Sequence, residues 1–246
     1  MPWATTREAP PHDWDFTHAN GYDMHAEEAE SCEDVARILA DADRVGPMLT
    51  GRRVIEIGSG RGACLRYAVH ALGAVACHGL DPSPGAVAAT NRTIESLGGK
   101  AGLLGDPEAE AEALAFGADL AWSHGVVEHV EGDAIDRHVA DLIRFSTRWV
   151  ALAAPNPRSP IYAAWRRHLL DAERWVWGFE EPLDGYADRF AAAGCSVIFD
   201  GTTASSPASL SPFLRTLSVV PGWERAPDEP GLYTLVVARV PVTGGA

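Results

Sequence analysis

The stretch Arg53-Val54-Ile55-Glu56-Ile57-Gly58-Ser59-Gly60-Arg61-Gly62-Ala63-Cys64 constrains the fold more than any other part of the chain. Val54 to Ile57 is a β-branched run interrupted by one acid, and it reads as a buried strand of a parallel sheet. Three glycines at every second position follow it, so the order is strand, tight turn, helix. A turn this tight needs backbone angles that side chains disfavour, and bare backbone lets a ligand come close. The helix opening near Arg61 then directs its first N–H groups at whatever lies over the turn. A nucleotide-like or carboxylate-bearing ligand fits such a place.

Gly58, Gly60 and Ala63 also satisfy the dinucleotide form G-x-G-x-x-A, so the glycines alone leave a nicotinamide-dependent oxidoreductase open. Three acids narrow the choice. Glu56 lies within the strand, where a nicotinamide-binding strand carries an apolar residue. Asp81 closes a second apolar run, Ala74 to Leu80, where a ribose hydroxyl pair needs an acceptor. Asp106 closes a third run, Ala101 to Gly105. The E-x-G-x-G-x-G loop with two successive strand-end acids resembles the class I S-adenosylmethionine-dependent methyltransferases. The resemblance extends through Asp119 to Val130, whose Val126-Val127-Glu128-His129-Val130 is similar to the turn after the fourth strand in many bacterial members. It covers about the central half of the chain.

The resemblance implies roles for these positions. Gly58, Ser59, Gly60 and Gly62 would hold the methionine part of the cofactor through backbone N–H groups, and Glu56 would orient the loop or the ligand's ammonium group. Asp81 with Pro82 would meet the ribose, and Asp106 with Pro107 the adenine. Either aspartate can instead open a helix, since Asp-Pro is a common helix start. His124 or His129 would serve as a base, histidine titrating near neutral pH, with His124 also beside the cofactor. Asn156 would hydrogen-bond the substrate or form a turn, and Tyr22 would reach in from the N-terminal arm or pack on the surface. No acid-acid-asparagine set or H-x-x-x-H pair is present, so no metal is expected.

Residues 1–45 form an arm with Trp3, Trp14 and Phe16, then a helix over Ala26 to Ala42, together a lid. Residues 46–246 form one cofactor-binding domain. Helices are expected over Ala63–Leu72, Gly85–Leu97, Glu108–Phe116, Ala134–Phe145 and Leu183–Ala193, with strands at Val54–Ile57, Ala74–Leu80, Ala101–Leu104, Asp119–Ser123, Trp149–Ala153, Cys195–Phe199 and Leu232–Val240. Residues 157–182, rich in Tyr162, Trp165, Trp175, Trp177 and Phe179, and residues 201–230, with a helical piece near Leu210 to Leu217, are expected to be substrate-cover insertions, the aromatic segment alternatively a small satellite hydrophobic cluster. Alternation of strand and helix gives an α/β, doubly wound sheet. The resemblance implies seven mostly parallel strands in the order 3-2-1-4-5-7-6, the last antiparallel, with helices on both faces.

Thirty-four acids against 20 bases give a formal charge of −14, which repels phosphate backbones. A small-molecule substrate is therefore expected and nucleic acid is not. The four cysteines show no C-x-x-C pairing, as in a reducing compartment. With no apolar stretch of signal or membrane-span length, the cytoplasm is the expected location. The proline-, alanine- and arginine-rich composition is associated with bacterial secondary metabolism; monomer and homodimer both stay open. Two other readings also stay open: use of the sulfonium cofactor without methyl transfer, releasing methylthioadenosine, and a non-catalytic cofactor-binding partner subunit.

Overall fold

The computed structural model describes residues 38–171, 175, 177–203 and 231–241. Seven strands form one sheet in the order β3-β2-β1-β4-β5-β7-β6. They are β1 (Arg53–Ile57), β2 (Ala76–Asp81), β3 (Lys100–Leu103), β4 (Ala118–His124), β5 (Ser146–Pro155), β6 (Ser196–Thr202) and β7 (Tyr233–Arg239). The first five pair in parallel, and β7 runs antiparallel between β5 and β6. The helices are α1 (Ile38–Val45), α2 (Ala63–Leu72), α3 (Pro84–Ile94), α4 (Pro107–Phe116), α5 (Asp133–Arg144), α6 (Pro160–Asp171) and α7 (Ala187–Ala192). This is the expected doubly wound sheet, with the expected strand order.

Strand alternation sends successive side chains to opposite faces, and each face has its own core. On one face Val54, Leu120, Trp122, Ala151, Ala153, Leu235 and Val237 pack with Leu39 of α1 and Leu65 of α2. On the other, Ile55, Ile57, Ala121, Val150, Leu152 and Val236 pack with Leu142 of α5 and Phe190 of α7. The register puts Glu56 beside Gly79 and Trp122, so an acid lies in the row of the first face next to a tryptophan. Burial of these apolar groups, at about 25 cal/mol per Å², supplies the main favourable term in folding.

Several boundaries differ from the sequence reading. The second strand begins at Ala76 because Val75 is exposed (66%) and outside the sheet. The fourth extends one residue to His124, which pairs with Ala153. The expected helix over Leu183–Ala193 shortens to Ala187–Ala192. Its first residues have other commitments: the Leu183 N–H donates to the Tyr186 hydroxyl (3.1 Å) and Asp184 pairs with Arg158. The helix expected to end at Ala42 runs on to Val45; its beginning, and the piece near Leu210 to Leu217, lie outside the described residues. No helix among the described residues is long and apolar enough to cross a membrane.

Candidate active site

The glycine turn sits at the carboxyl edge of β1, and Gly58, Gly60 and Gly62 all have positive φ, at 80°, 52° and 73°. Only glycine adopts this region without strain. The turn is held from below: the Leu80 carbonyl accepts from Gly58 N–H (2.8 Å) and Ser59 N–H (3.2 Å), and Asp81 Oδ2 accepts from Gly60 N–H (2.9 Å). The Thr90 hydroxyl lies 3.1 Å from both Ser59 Oγ and the Gly60 carbonyl. The N–H groups of Gly58, Ser59, Gly60 and Gly62, assigned from sequence to the cofactor, all donate within the protein, Gly62 N–H to the Ser59 carbonyl (2.7 Å). Gly62 stands at the N-cap of α2 with no capping side chain, leaving the positive end of that helix dipole at the loop.

Glu56 is buried beneath the turn, and its Oε2 has no hydrogen-bond partner among the described residues. Burial raises its pKa to about 8; a bond from Cys64 opposes this, while the charge of Asp81 adds to it. Such an acid is stabilised by a cation that supplies N–H donors. Asp81 is also buried, and its Oδ1 accepts from Ser83 N–H (2.9 Å). A carboxylate has about four acceptor positions and can serve several donors at once.

Asp81 and Asp106 do different work. The helix after Asp81 is capped by Ser83, whose Oγ accepts from Ala86 N–H (3.0 Å), with Pro84 in its first turn and Pro82 just ahead of the cap. Asp81 is thereby left to bridge strand and glycine turn. Asp106 is itself the cap of α4: Oδ2 accepts from Ala109 N–H (2.9 Å), and Pro107 occupies the first turn.

Beyond β4 the chain turns through Gly125 and a 3-10 segment, Val127–His129. His124 is half-buried, stacks 6.3 Å from Trp122 and meets the Tyr233 ring edge-on at 5.0 Å. Its Nε2 lacks a partner among the described residues, and burial lowers its pKa to about 4. A neutral imidazole of such low basicity is a weak proton acceptor. His129 points elsewhere: Nδ1 lies 2.6 Å from the Phe179 carbonyl, to which it donates, and Nε2 is 3.8 Å from Glu128 Oε1. Together with the bond from Glu181 N–H to the Glu128 carbonyl (2.7 Å), it ties the turn to the segment after α6.

Asn156 is buried, and both ends of its amide hold backbone. Nδ2 donates to the Gly231 carbonyl (2.7 Å), and Oδ1 accepts from Arg158 N–H (3.0 Å). This is the turn-forming alternative, with the amide closing the loop onto residue 231. Tyr22 lies outside the described residues.

The sequence reading did not find a buried network in the cover. Tyr162 donates to Glu180 Oε1 (2.5 Å), and Arg166 Nε donates to Glu180 Oε2 (2.7 Å). The Arg166 guanidinium lies 5.0 Å from the centre of the Trp175 ring, and Tyr162 meets Tyr233 at 5.9 Å. Burial raises the Glu180 pKa to about 7 against the opposing bonds from Tyr162 and Arg166. The i,i+4 spacing of Tyr162 and Arg166 on one helix was the available signal; nothing local marks Glu180. Among the described residues no group of three His, Cys, Asp or Glu side chains is placed to hold a metal.

A seven-stranded sheet in this order, with a left-handed glycine turn over β1 and acids in β1 and at the tip of β2, defines the Rossmann-like fold of class I S-adenosylmethionine-dependent methyltransferases. Residues 55–156 match the family model described as a methyltransferase domain. No curated protein matches the chain. One similar solved structure is a chain of the complex between the Haloferax volcanii Trm112 methyltransferase activator and a methyltransferase, with 17% identity and a TM-score of 0.61, covering 95% of this chain and 100% of that one. An S-adenosylmethionine-dependent methyltransferase from Mesorhizobium loti gives 17%, 0.54, 83% and 97% in the same order. An O-methyltransferase family protein from Burkholderia thailandensis gives 17%, 0.55, 89% and 60%.

Proposed function

We propose that this chain is a cytoplasmic S-adenosylmethionine-dependent methyltransferase that transfers a methyl group to an O, N or C nucleophile of a small metabolite. The observation that carries the proposal is the pairing of Glu56 and Asp81 on either side of the glycine turn, one buried with an unpartnered oxygen and one bridging turn to strand. Glu56 holds an ammonium group, Asp81 accepts ribose hydroxyls, and the dipole of α2 attracts a carboxylate. The cap role of Asp106 leaves its second oxygen for the adenine side. When bound, S-adenosylmethionine supplies an already activated methyl group, so the protein's task is alignment and exclusion of water. Tyr162, Arg166, Glu180 and Trp175 close the acceptor side, and Tyr233 and His124 form its floor. A charge of −14 argues against a nucleic acid acceptor.

Calorimetry with S-adenosylhomocysteine tests this reading: binding is expected, and Asp81→Asn should weaken it at least about tenfold through loss of charge-assisted bonds. No binding, or binding of NADH in its place, would sink it. Product analysis with S-adenosylmethionine then separates methyl transfer, which yields S-adenosylhomocysteine, from cyclisation or elimination, which yields methylthioadenosine. Tight donor binding with no product across an acceptor screen identifies a non-catalytic partner subunit.

A further inference from the structure

We propose that Glu128 is the acceptor-binding residue of this site and that it selects an amine as the nucleophile. This rests on the methyltransferase reading above. Glu128 lies in the turn directly after β4, is 2% exposed, and has its Oε1 3.6 Å from where a Cβ on Gly125 would stand. Oε1 also faces His129 Nε2 at 3.8 Å, whereas Oε2 has no partner among the described residues. The same turn presses on the cofactor loop, Val126 lying against Gly58, so Glu128 belongs to the edge where the donor binds.

Charge sets the class of ligand. Of the two buried acids on this side, Glu180 is matched by Arg166 at 2.7 Å and by the Tyr162 hydroxyl. Among the described residues Glu128 is paired with no arginine or lysine, only with His129 at 3.8 Å from Oε1, and the nearby charge of Glu180 holds its pKa further up than burial alone does. A buried carboxyl in that position gains most from a group bringing both positive charge and N–H donors. A hydroxyl acceptor needs a competent base during attack, and His124, neutral down to about pH 4, is a poor one.

The amine enters as an ammonium ion and passes one proton to the Glu128 carboxylate. Its freed lone pair attacks the methyl carbon, the C–S bond breaks with its electrons going to sulfur, and the products are S-adenosylhomocysteine and an N-methylammonium ion. Glu128 then releases its proton to solvent, one per turnover.

Sinefungin, in which an amine-bearing carbon replaces the methylsulfonium, carries an ammonium ion to the acceptor side. Its affinity is compared with that of S-adenosylhomocysteine by calorimetry on the full chain. Sinefungin should bind the wild type at least about tenfold tighter, and Glu128→Gln should reduce that ratio to within about twofold while S-adenosylhomocysteine binds unchanged. A wild-type ratio below about twofold, a ratio untouched by Glu128→Gln, or methyl label recovered on oxygen from a metabolite extract overturns the inference. If Glu128→Gln fails to fold, the wild-type ratio and the labelled product decide. Failure of S-adenosylhomocysteine itself to bind the wild type marks a failure of the methyltransferase reading instead.

Discussion

A Cβ added to Gly58 would lie 2.3 Å from Cγ2 of Val126, so the glycine turn after β1 and the turn after β4 interlock at a point with no room for a side chain. Glycine is also required there by its φ of 80°. Gly58→Ala should destabilise the protein by about 3 kcal/mol, from a left-handed alanine and an overpacked contact together. It should also abolish S-adenosylhomocysteine binding. Adding Val126→Ala should restore the packing share but not the backbone share, as read by urea unfolding of both variants.

Glu180 with Arg166 and Tyr162 forms a buried network in which both oxygens of the carboxylate accept a hydrogen bond. Removing one partner strands a buried charge, so Arg166→Met alone should cost about 3 kcal/mol or more. The combination of Arg166→Met, Glu180→Leu and Tyr162→Phe should recover most of that loss. Urea denaturation of the wild type, the three single variants and the combined variant checks the non-additivity.

Opposed titrations shape stability against pH. The folded pKa values of Glu56 (about 8), Glu180 (about 7) and Glu128 are raised, so the folded state holds protons that the unfolded chain has lost, and stability falls as pH rises through this range. His124 and His138, lowered to about 4, act in the other direction, adding stability as pH rises from about 4 to 6.5. Above pH 6.5 only the acids still titrate. The melting temperature of the free protein should therefore drop between pH 6.5 and 8, Glu56 alone contributing up to about 2 kcal/mol. Glu56→Gln should flatten that limb; an unchanged slope in the variant would count against the burial argument.

His138 reaches from α5 to the Ser123 hydroxyl at 2.8 Å inside the core, next in sequence to His124 yet on the opposite face. Ser123→Ala leaves the imidazole nitrogen unsatisfied and should cost about 1–3 kcal/mol. Affinity for S-adenosylhomocysteine should hold to within about twofold, because the pair lies outside the cofactor side. Thermal melts and calorimetry on the same sample check both halves.

Much of the frame was legible from local pattern. Helix α2 was bounded residue by residue because a glycine stands at each end of it, and the doubly wound sheet followed from alternating strand and helix. The shortening of the helix before β6 was not legible, because Leu183 and Asp184 are held by Tyr186 and Arg158, contacts that no periodicity shows. Among the site residues, the Asp-Pro pairs looked alike in sequence. Only the structure separates them, since Ser83 caps the helix after Asp81, whose carboxylate binds the glycine turn, while Asp106 caps its own helix.

The sequence by itself determined the glycine turn, the acid within β1 and the order of elements, since backbone angles and side-chain alternation are fixed by neighbouring residues. The partner of each polar group was decided by tertiary structure alone. Glu180 acquires Arg166 and Tyr162, Glu128 keeps an unpartnered Oε2 among the described residues, and His124 loses its basicity, because solvation and charge pairing depend on what lies across the fold and not along the chain.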